Sequence, residues 1–378
     1  MRPSVVAIFA VVACGSCKRG GTVEGDGAPP SIDAPASSDA ELPRVVDVVV
    51  GGLATCVRTR DGAAMCGADT MATNAALTGT KQIAIGASHS CARMPDDTLT
   101  CWGENAHGEL GDVTQTARRA PTKVVGLAGA AEIALGNGFS MARLADGTVD
   151  SWGRNDAGQL GDASKGDRAR VGLILGLAGV VQIAAGAEFA CARLGDGTVR
   201  CWGRNDRKQL GDMGDPAPAR GARAVAAIDR RSVPVPVNGV AAIVQIALGA
   251  AHACVLATEG VRCWGAADRG QIGGTKDDRA PASKIEGLAS IAELVAGGAH
   301  TCARPYRGDV VCWGANDAGQ LGDGTTSDRI TPTVTPGLAD AVQLAAGPAQ
   351  TCARLGNGSV RCWGKGFGPT PVPLRAAR

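Results

Sequence analysis

One stretch constrains this chain more than any other: Cys191 to Asp212, CARLGDGTVRCWGRNDRKQLGD. It reads as a tight β-hairpin with a cysteine at each end, followed by Trp-Gly and a glycine-rich turn. Related copies recur along most of the sequence. The second cysteine of the hairpin, or its equivalent, falls at Cys66, Cys101, Ser151, Cys201, Cys263, Cys312 and Cys362. The gaps are 35, 50, 50, 62, 49 and 50 residues, so there are seven units with a period near 50. Six continue into Trp-Gly, at Trp102, Trp152, Trp202, Trp264, Trp313 and Trp363, and these are all the tryptophans in the protein. Such a repeat overrides the two or three domains that 378 residues would otherwise suggest, because a repeat array forms one domain of any length.

Each full unit reads as four short extended segments. A Pro- and Val-containing piece (Pro121–Leu127, PTKVVGL) precedes an apolar piece ending in glycine (Ile183 to Gly186), and the hairpin and turn follow. Four strands in ~50 residues match one propeller blade. The 55 glycines against 11 aromatic residues suit many short strands joined by tight turns. The expected fold is therefore all-β, a seven-bladed β-propeller. Its first unit starts at Val45 without a Pro/Val piece, and the chain ends on one, Pro369–Leu374. A C-terminal strand is thus expected to complete the first blade and remove the free edge at the seam.

Pairing Cys191 opposite Cys201 leaves Gly195-Asp196-Gly197 as a three-residue loop, which favours a type I turn followed by a left-handed residue. Glycine stands at that third position in Gly62, Gly147, Gly197, Gly308 and Gly358, and Asp97 takes it once. The Cys254/Cys263 unit is one residue shorter, so its turn must differ. Facing cysteines on neighbouring strands are close enough to bond. Both are missing together at Met141 and Ser151, and no unit has only one. That pattern favours six disulfides over twelve buried thiols: Cys56–Cys66, Cys91–Cys101, Cys191–Cys201, Cys254–Cys263, Cys302–Cys312 and Cys352–Cys362. Each closes a small loop, worth roughly 3 kcal/mol at most. The CxxC pairs and histidine partners of a zinc site are absent.

Units of the form WGxNxxGQLGD…P…V…IAxGxxHxCAR…DGxVxCWG resemble the regulator-of-chromosome-condensation repeat over about residues 45–374. The resemblance implies a seven-bladed propeller. The chain departs from it in its cysteine pairs and in lacking the WGxNxxGQLGD turn between Cys66 and Leu77.

The first 13 residues, MRPSVVAIFAVVA, hold one arginine and an apolar run of nine, too short to span a bilayer but suited to a signal peptide. Val11-Val12-Ala13-Cys14 resembles a bacterial lipobox, which implies lipidation at Cys14 of an exported protein; an ordinary secretory signal is the alternative. A CGSC redox motif at Cys14–Cys17 would need a helix start in a βαβ setting, which an apolar leader does not offer. Residues 14–43 are rich in Gly, Ala, Pro, Ser and Asp and read as a flexible tether, leaving 44–378 for the propeller.

Candidate chemistry is sparse. His89, His252 and His300 share one repeat position, where other units place Ala54, Phe139, Phe189 and Gln350. A position that accepts phenylalanine is a packing position, not a metal ring. His107 lies in a turn without an evident partner. The turn acids (Asp156 and Asp162, Asp317 and Asp323) lack the DxDxDG spacing of a calcium loop. No Ser/His/Asp, Cys/His or paired-carboxylate set breaks the repeat, so no catalytic residue, cofactor or metal is assigned. The largest insertion, Met213–Val237, carries Arg220, Arg223, Arg230 and Arg231, a candidate cationic lip for an acidic partner.

These features point to a non-catalytic binding or scaffold module of the bacterial cell envelope. It would act as a monomer, reach the membrane only through its anchor, and engage a protein or an extracellular polymer through propeller-face loops. A net charge of +2 implies no nucleic-acid partner. The alternatives are an inhibitor resembling the β-lactamase-inhibitory propeller, which would need aromatic anchors outside the framework, and a polysaccharide-acting enzyme. Guanine-nucleotide exchange is implied by the resemblance only, and an exported protein would not meet that partner.

Overall fold

In a computed structural model of the chain, residues 42, 44–52, 54–67, 70–211, 230–288 and 290–376 are described. The signal-peptide and tether assignments, Cys14, Arg220 and Arg223 lie outside them.

The ring has seven antiparallel blades of four strands each. In the third blade the strands are Ala130–Leu135, Phe139–Leu144, Val149–Gly153 and Arg168–Leu173, in that order from the axis outward. The first strand is apolar and almost wholly buried, and the fourth alternates half-buried and exposed positions. Proline belongs on that outer edge, where its missing N–H costs no ladder bond. Hence the Pro/Val piece that follows each hairpin is the outer strand of that same blade, as in Arg118–Lys123 with Pro121. Among the described residues the one helical turn is the 3-10 turn Ala75–Leu77, and no helix is long and apolar enough to cross a membrane.

This assignment changes how the ring closes. Gly368–Pro373 is the fourth strand of the seventh blade, not a piece of the first. The first blade is built from Val45–Gly51, Ala54–Thr59, Ala64–Gly67 and Thr70–Thr73. The C-terminus does reach it, through Arg375–Ala376, which adds a short parallel fifth strand beside Thr70 and Met71. Closure itself uses the contacts found between other blades. Val45 N–H donates to the Gly358 carbonyl of the seventh-blade hairpin at 3.1 Å, as Val180 N–H does to Gly147 and Ile243 N–H to Gly197.

The hairpins take the register expected of them. Cys191 faces Cys201, and Met141 faces Ser151 in the blade without a disulfide. All six cysteine pairs are joined. Gly197 has φ +82 and Asp97 has φ +62, the left-handed conformation the bulge requires. In the shorter unit Gly260 takes that conformation instead, at φ +126.

The core lies between blades rather than within them. Trp152 is fully buried against Leu110, Val124 and Leu135, among residues of the second and third blades. Its indole N–H donates to the Glu109 carbonyl of the preceding unit's turn at 2.9 Å. Trp202, Trp264, Trp313 and Trp363 repeat that bond, to the carbonyls of Gln159, Gln209, Gln271 and Gln320. The second glycine of the turn, as in Gly161, combines φ +67 with an indole 2.8 Å from where a Cβ would sit.

Candidate functional site

The two faces of the ring differ in what they present. One carries the turns between first and second strands and the long turns that follow each Trp-Gly. The other carries the cysteine hairpins and the loops leading into each first strand.

On the long-turn face, the first strands end in glycines around the axis. Their turns join one another through backbone bonds: Asn137 N–H to Ala187 O at 2.8 Å, Ala187 N–H to Ala250 O at 3.1 Å, Ala250 N–H to Gly298 O at 3.0 Å. The cavity of about 190 Å³ at this mouth is lined mostly by glycine and alanine, with no titratable side chain. It offers neither a nucleophile nor a charge. Below it sit the three shared histidines, each fully buried. His89, His252 and His300 meet Ser140, Thr301 and Thr351 of the next blade at 2.8, 2.9 and 2.8 Å. Those hydroxyls donate onward to the carbonyls of Glu109, Gln271 and Gln320. Each hydroxyl has spent its proton, so the imidazole donates from Nε2. Burial depresses the three imidazoles to about 3, 3 and 4, and they remain neutral. Phe139 and Phe189 fill the same place under Gly136 and Gly186. The position packs, as its acceptance of phenylalanine suggested. Among the described residues no group of three His, Cys, Asp or Glu is arranged to hold a metal ion.

Between the third and fourth blades the long-turn face has a cavity of about 320 Å³ edged by Arg154, Asp156, Glu188, Arg204, Asp206 and Arg230. Glu188 bridges Arg154 at 2.8 Å and Arg204 at 2.5 Å, and each arginine also holds its own turn aspartate. Every carboxylate is engaged by a guanidinium, so the cluster rigidifies a seam and leaves no free acid–base pair. Arg230 donates to the Asp156 carbonyl at 3.1 Å. Arg230 and Arg231 belong to the strand Arg230–Pro236, not to the insertion, which shortens the insertion to 213–229. His107 has a partner after all: Asp167 of the next blade at 2.6 Å, where later units use Arg207 with Asp278 and Arg269 with Asp328.

The hairpin face is apolar by comparison. Val46, Val181, Val244 and Val342 stand in equivalent places around the ring, 40–45% exposed, beside the bulge near the start of each first strand. Gly195 and Gly356 of the hairpin turns lie next to Val181 and Val342. Val125, Leu175 (74% exposed) and Tyr306 (73%) project from loops on the same side. Of the large exposed hydrophobics described, only Val113 sits on the long-turn face, and the rest lie on outer strands. Between these valines aspartates cap the turns. Asp196 accepts from the backbone and hydroxyl of Thr198, which keeps its carboxyl below the usual range and charged.

One set of residues belongs to no motif in the sequence: Gln82, Glu132, Gln182, Gln245, Glu293 and Gln343, which reach from one first strand to the next blade. Their signal was a polar residue recurring at one place in an apolar strand.

Two models of the regulator of chromosome condensation (RCC1) repeat match the chain. One covers residues 80–109, 130–159, 180–209, 243–271 and 291–320. The other covers 96–143, 146–193, 196–256 and 307–354. Comparison with curated proteins gives no significant match. Among solved structures, yeast RCC1 (Prp20) bound to Kap60 aligns with TM-score 0.70 and 19% identity, covering 81% of this chain and 78% of that one. Human WBSCR16 aligns with TM-score 0.69 and 19% identity, over 81% and 86%. The ectodomain of the receptor kinase CR4 from Physcomitrella patens gives TM-score 0.52 and 21% identity, over 84% and 73%. At these identities the likeness establishes the fold.

Proposed function

The chain belongs to the regulator of chromosome condensation (RCC1) repeat family, and on that premise we propose that it is a non-catalytic binding module of the bacterial cell envelope. A lipid on Cys14 tethers it, and the hairpin face of the ring engages a protein partner. The observation that carries this reading is the concentration of exposed apolar side chains on that face, four of them at repeating positions. Exposed apolar side chains gathered on one side of a molecule support a binding role for that side. An apolar patch favours a protein over a hydrated polymer.

The multiple disulfides suggest an oxidising, extracytoplasmic environment. The RCC1-like fold supports a platform role: the yeast neighbour is seen bound to Kap60, and the moss neighbour is an ectodomain. We take from them only that such a ring can present a binding face.

The test is cross-linked capture from the envelope fraction, with three forms of the protein compared. The triple variant V181D/V244D/V342D should lose the captured partner, while a form with 213–229 replaced by a short Gly-Ser link should retain it. Loss with the loop form and retention with the aspartates would move the site to the opposite face.

A further inference from the structure

Among the described residues, six of the seven seams between blades are held by a side chain acting as a clip. Gln182 shows the full pattern. Its Nε2 donates to the Ile246 carbonyl and its Oε1 accepts from the Ile246 N–H, both at 3.0 Å. Gln82 does the same to Ile133, Gln245 to Leu294, and Gln343 to Val48 across the closing seam. Two blades place glutamate here. Glu132 Oε2 accepts from Ile183 N–H at 3.2 Å and from Arg143 Nε at 3.0 Å. Glu293 Oε2 accepts from Leu344 N–H at 3.2 Å and from Arg304 Nε at 2.9 Å. Gln343 Oε1 takes Arg354 Nε in the same way. The second carboxyl oxygen therefore occupies the place where glutamine carries its amide N–H, opposite the next blade's carbonyl. An ionised carboxylate has no donor to offer there, and a neutral carboxylic acid has one.

We propose that Glu132 and Glu293 are proton-dependent clips. Neutral, each donates to the carbonyl of Ile183 or Leu344 and closes its seam as glutamine does; ionised, each leaves that carbonyl unmet and the seam slackens. The two seams divide the ring into blades four to six and blades seven, one, two and three. The third blade, which carries Glu132, is also the one without a disulfide.

The surroundings agree. The two side chains are only 10% and 17% exposed. Burial pushes the Glu132 carboxyl up to about 7 and Glu293 also upward, against the opposing pull of Arg143 and Arg304. The charged groups facing Glu132 are Arg143 on its own blade and Arg193 on the fourth. Lys81 and Arg93 of the second blade share its cleft but are paired with Asp97. Glu293 is faced by Arg304 and Arg354. A carboxyl whose pKa is raised on folding contributes stability that is full below its unfolded value of 4.5 and is lost as pH climbs through about 7. The ring is thus tighter in mildly acidic surroundings.

The experiment is thermal unfolding of the wild-type protein and E132Q at pH 5 and pH 8, with the carboxyl infrared band followed in parallel. The two should melt together at pH 5, and the variant should melt higher at pH 8 by roughly 5 °C. A protonated-carboxyl band present at pH 5 should weaken in E132Q. The reciprocal Q182E should acquire a fall in melting temperature between pH 5 and pH 8. Equal pH slopes in wild type and E132Q would overturn the proposal. So would an E132Q less stable at both pH values, because the Arg143 ion pair would then be what holds the seam.

Discussion

Replacing Gly297 with alanine should prevent the ring from assembling. Gly297 ends the first strand of the sixth blade, beside the axis. A Cβ there would lie 2.4 Å from the Gly347 carbonyl oxygen of the next blade and 2.1 Å from His300 Cε1. Neither neighbour can yield. The carbonyl is fixed by the adjoining first strand, and His300 is fully buried with its Nε2 on Thr351. The clash is steric, since the Gly297 backbone is not in the left-handed region. Gly249 makes the same approach, 2.5 Å from the Gly297 carbonyl, so the first strands converge too closely for any side chain. G297A should accumulate as unfolded or aggregated protein. The control is G166A, in open space with ordinary backbone geometry, which should be neutral or slightly stabilising. A G297A protein that folds and melts like wild type would show that the axis is not packed as described.

The second large effect is expected of Trp202→Ala. The indole fills the space between the third and fourth blades against Leu160, Ile174 and Ile183. Truncating a buried tryptophan costs about 3–5 kcal/mol, a fall on the order of 10 °C in a domain this size. One further cost applies here and not at Trp152. Among the described residues Trp202 is the donor to the Gln159 carbonyl, because Ala190 stands where the third, sixth and seventh blades place Ser140, Thr301 and Thr351. At the preceding seam Glu109 O also accepts from Ser140, so W152A should be the milder variant. Thermal unfolding of the pair checks the order; a W152A that melts below W202A would contradict the shared-carbonyl account.

How much of this was legible beforehand depends on the range of each interaction. The hairpins are local: cysteines ten apart and a glycine at the third loop position dictate register and disulfide within one unit, and the structure places them so. The tryptophans could be assigned to inter-blade packing because they never leave the framework. The phase of the repeat was not legible, since a period has no origin. Only the pairing of Arg118–Lys123 with Leu99–Gly103 shows that a Pro/Val strand closes the blade of the hairpin before it. The glutamine clips and the His107–Asp167 contact span roughly one whole repeat, and a single polar residue in an apolar strand does not announce a partner so far away. The recognition surface was hidden for a related reason. Nothing in the sequence sets Val46, Val181, Val244 and Val342 apart from their apolar neighbours, and the bulge beside each of them turns them outward.

Repeated residues build a disulfide-stapled ring, and the proposal is that this ring is exported and recognises its partner through one face. The most direct measurement is non-reducing peptide mass spectrometry of the protein isolated from its own membrane fraction. Six links are expected, each within one hairpin, on a mature chain that starts at a lipid-modified Cys14. Free thiols at Cys191 and Cys201, links between units, or a chain that still begins at Met1 would contradict it.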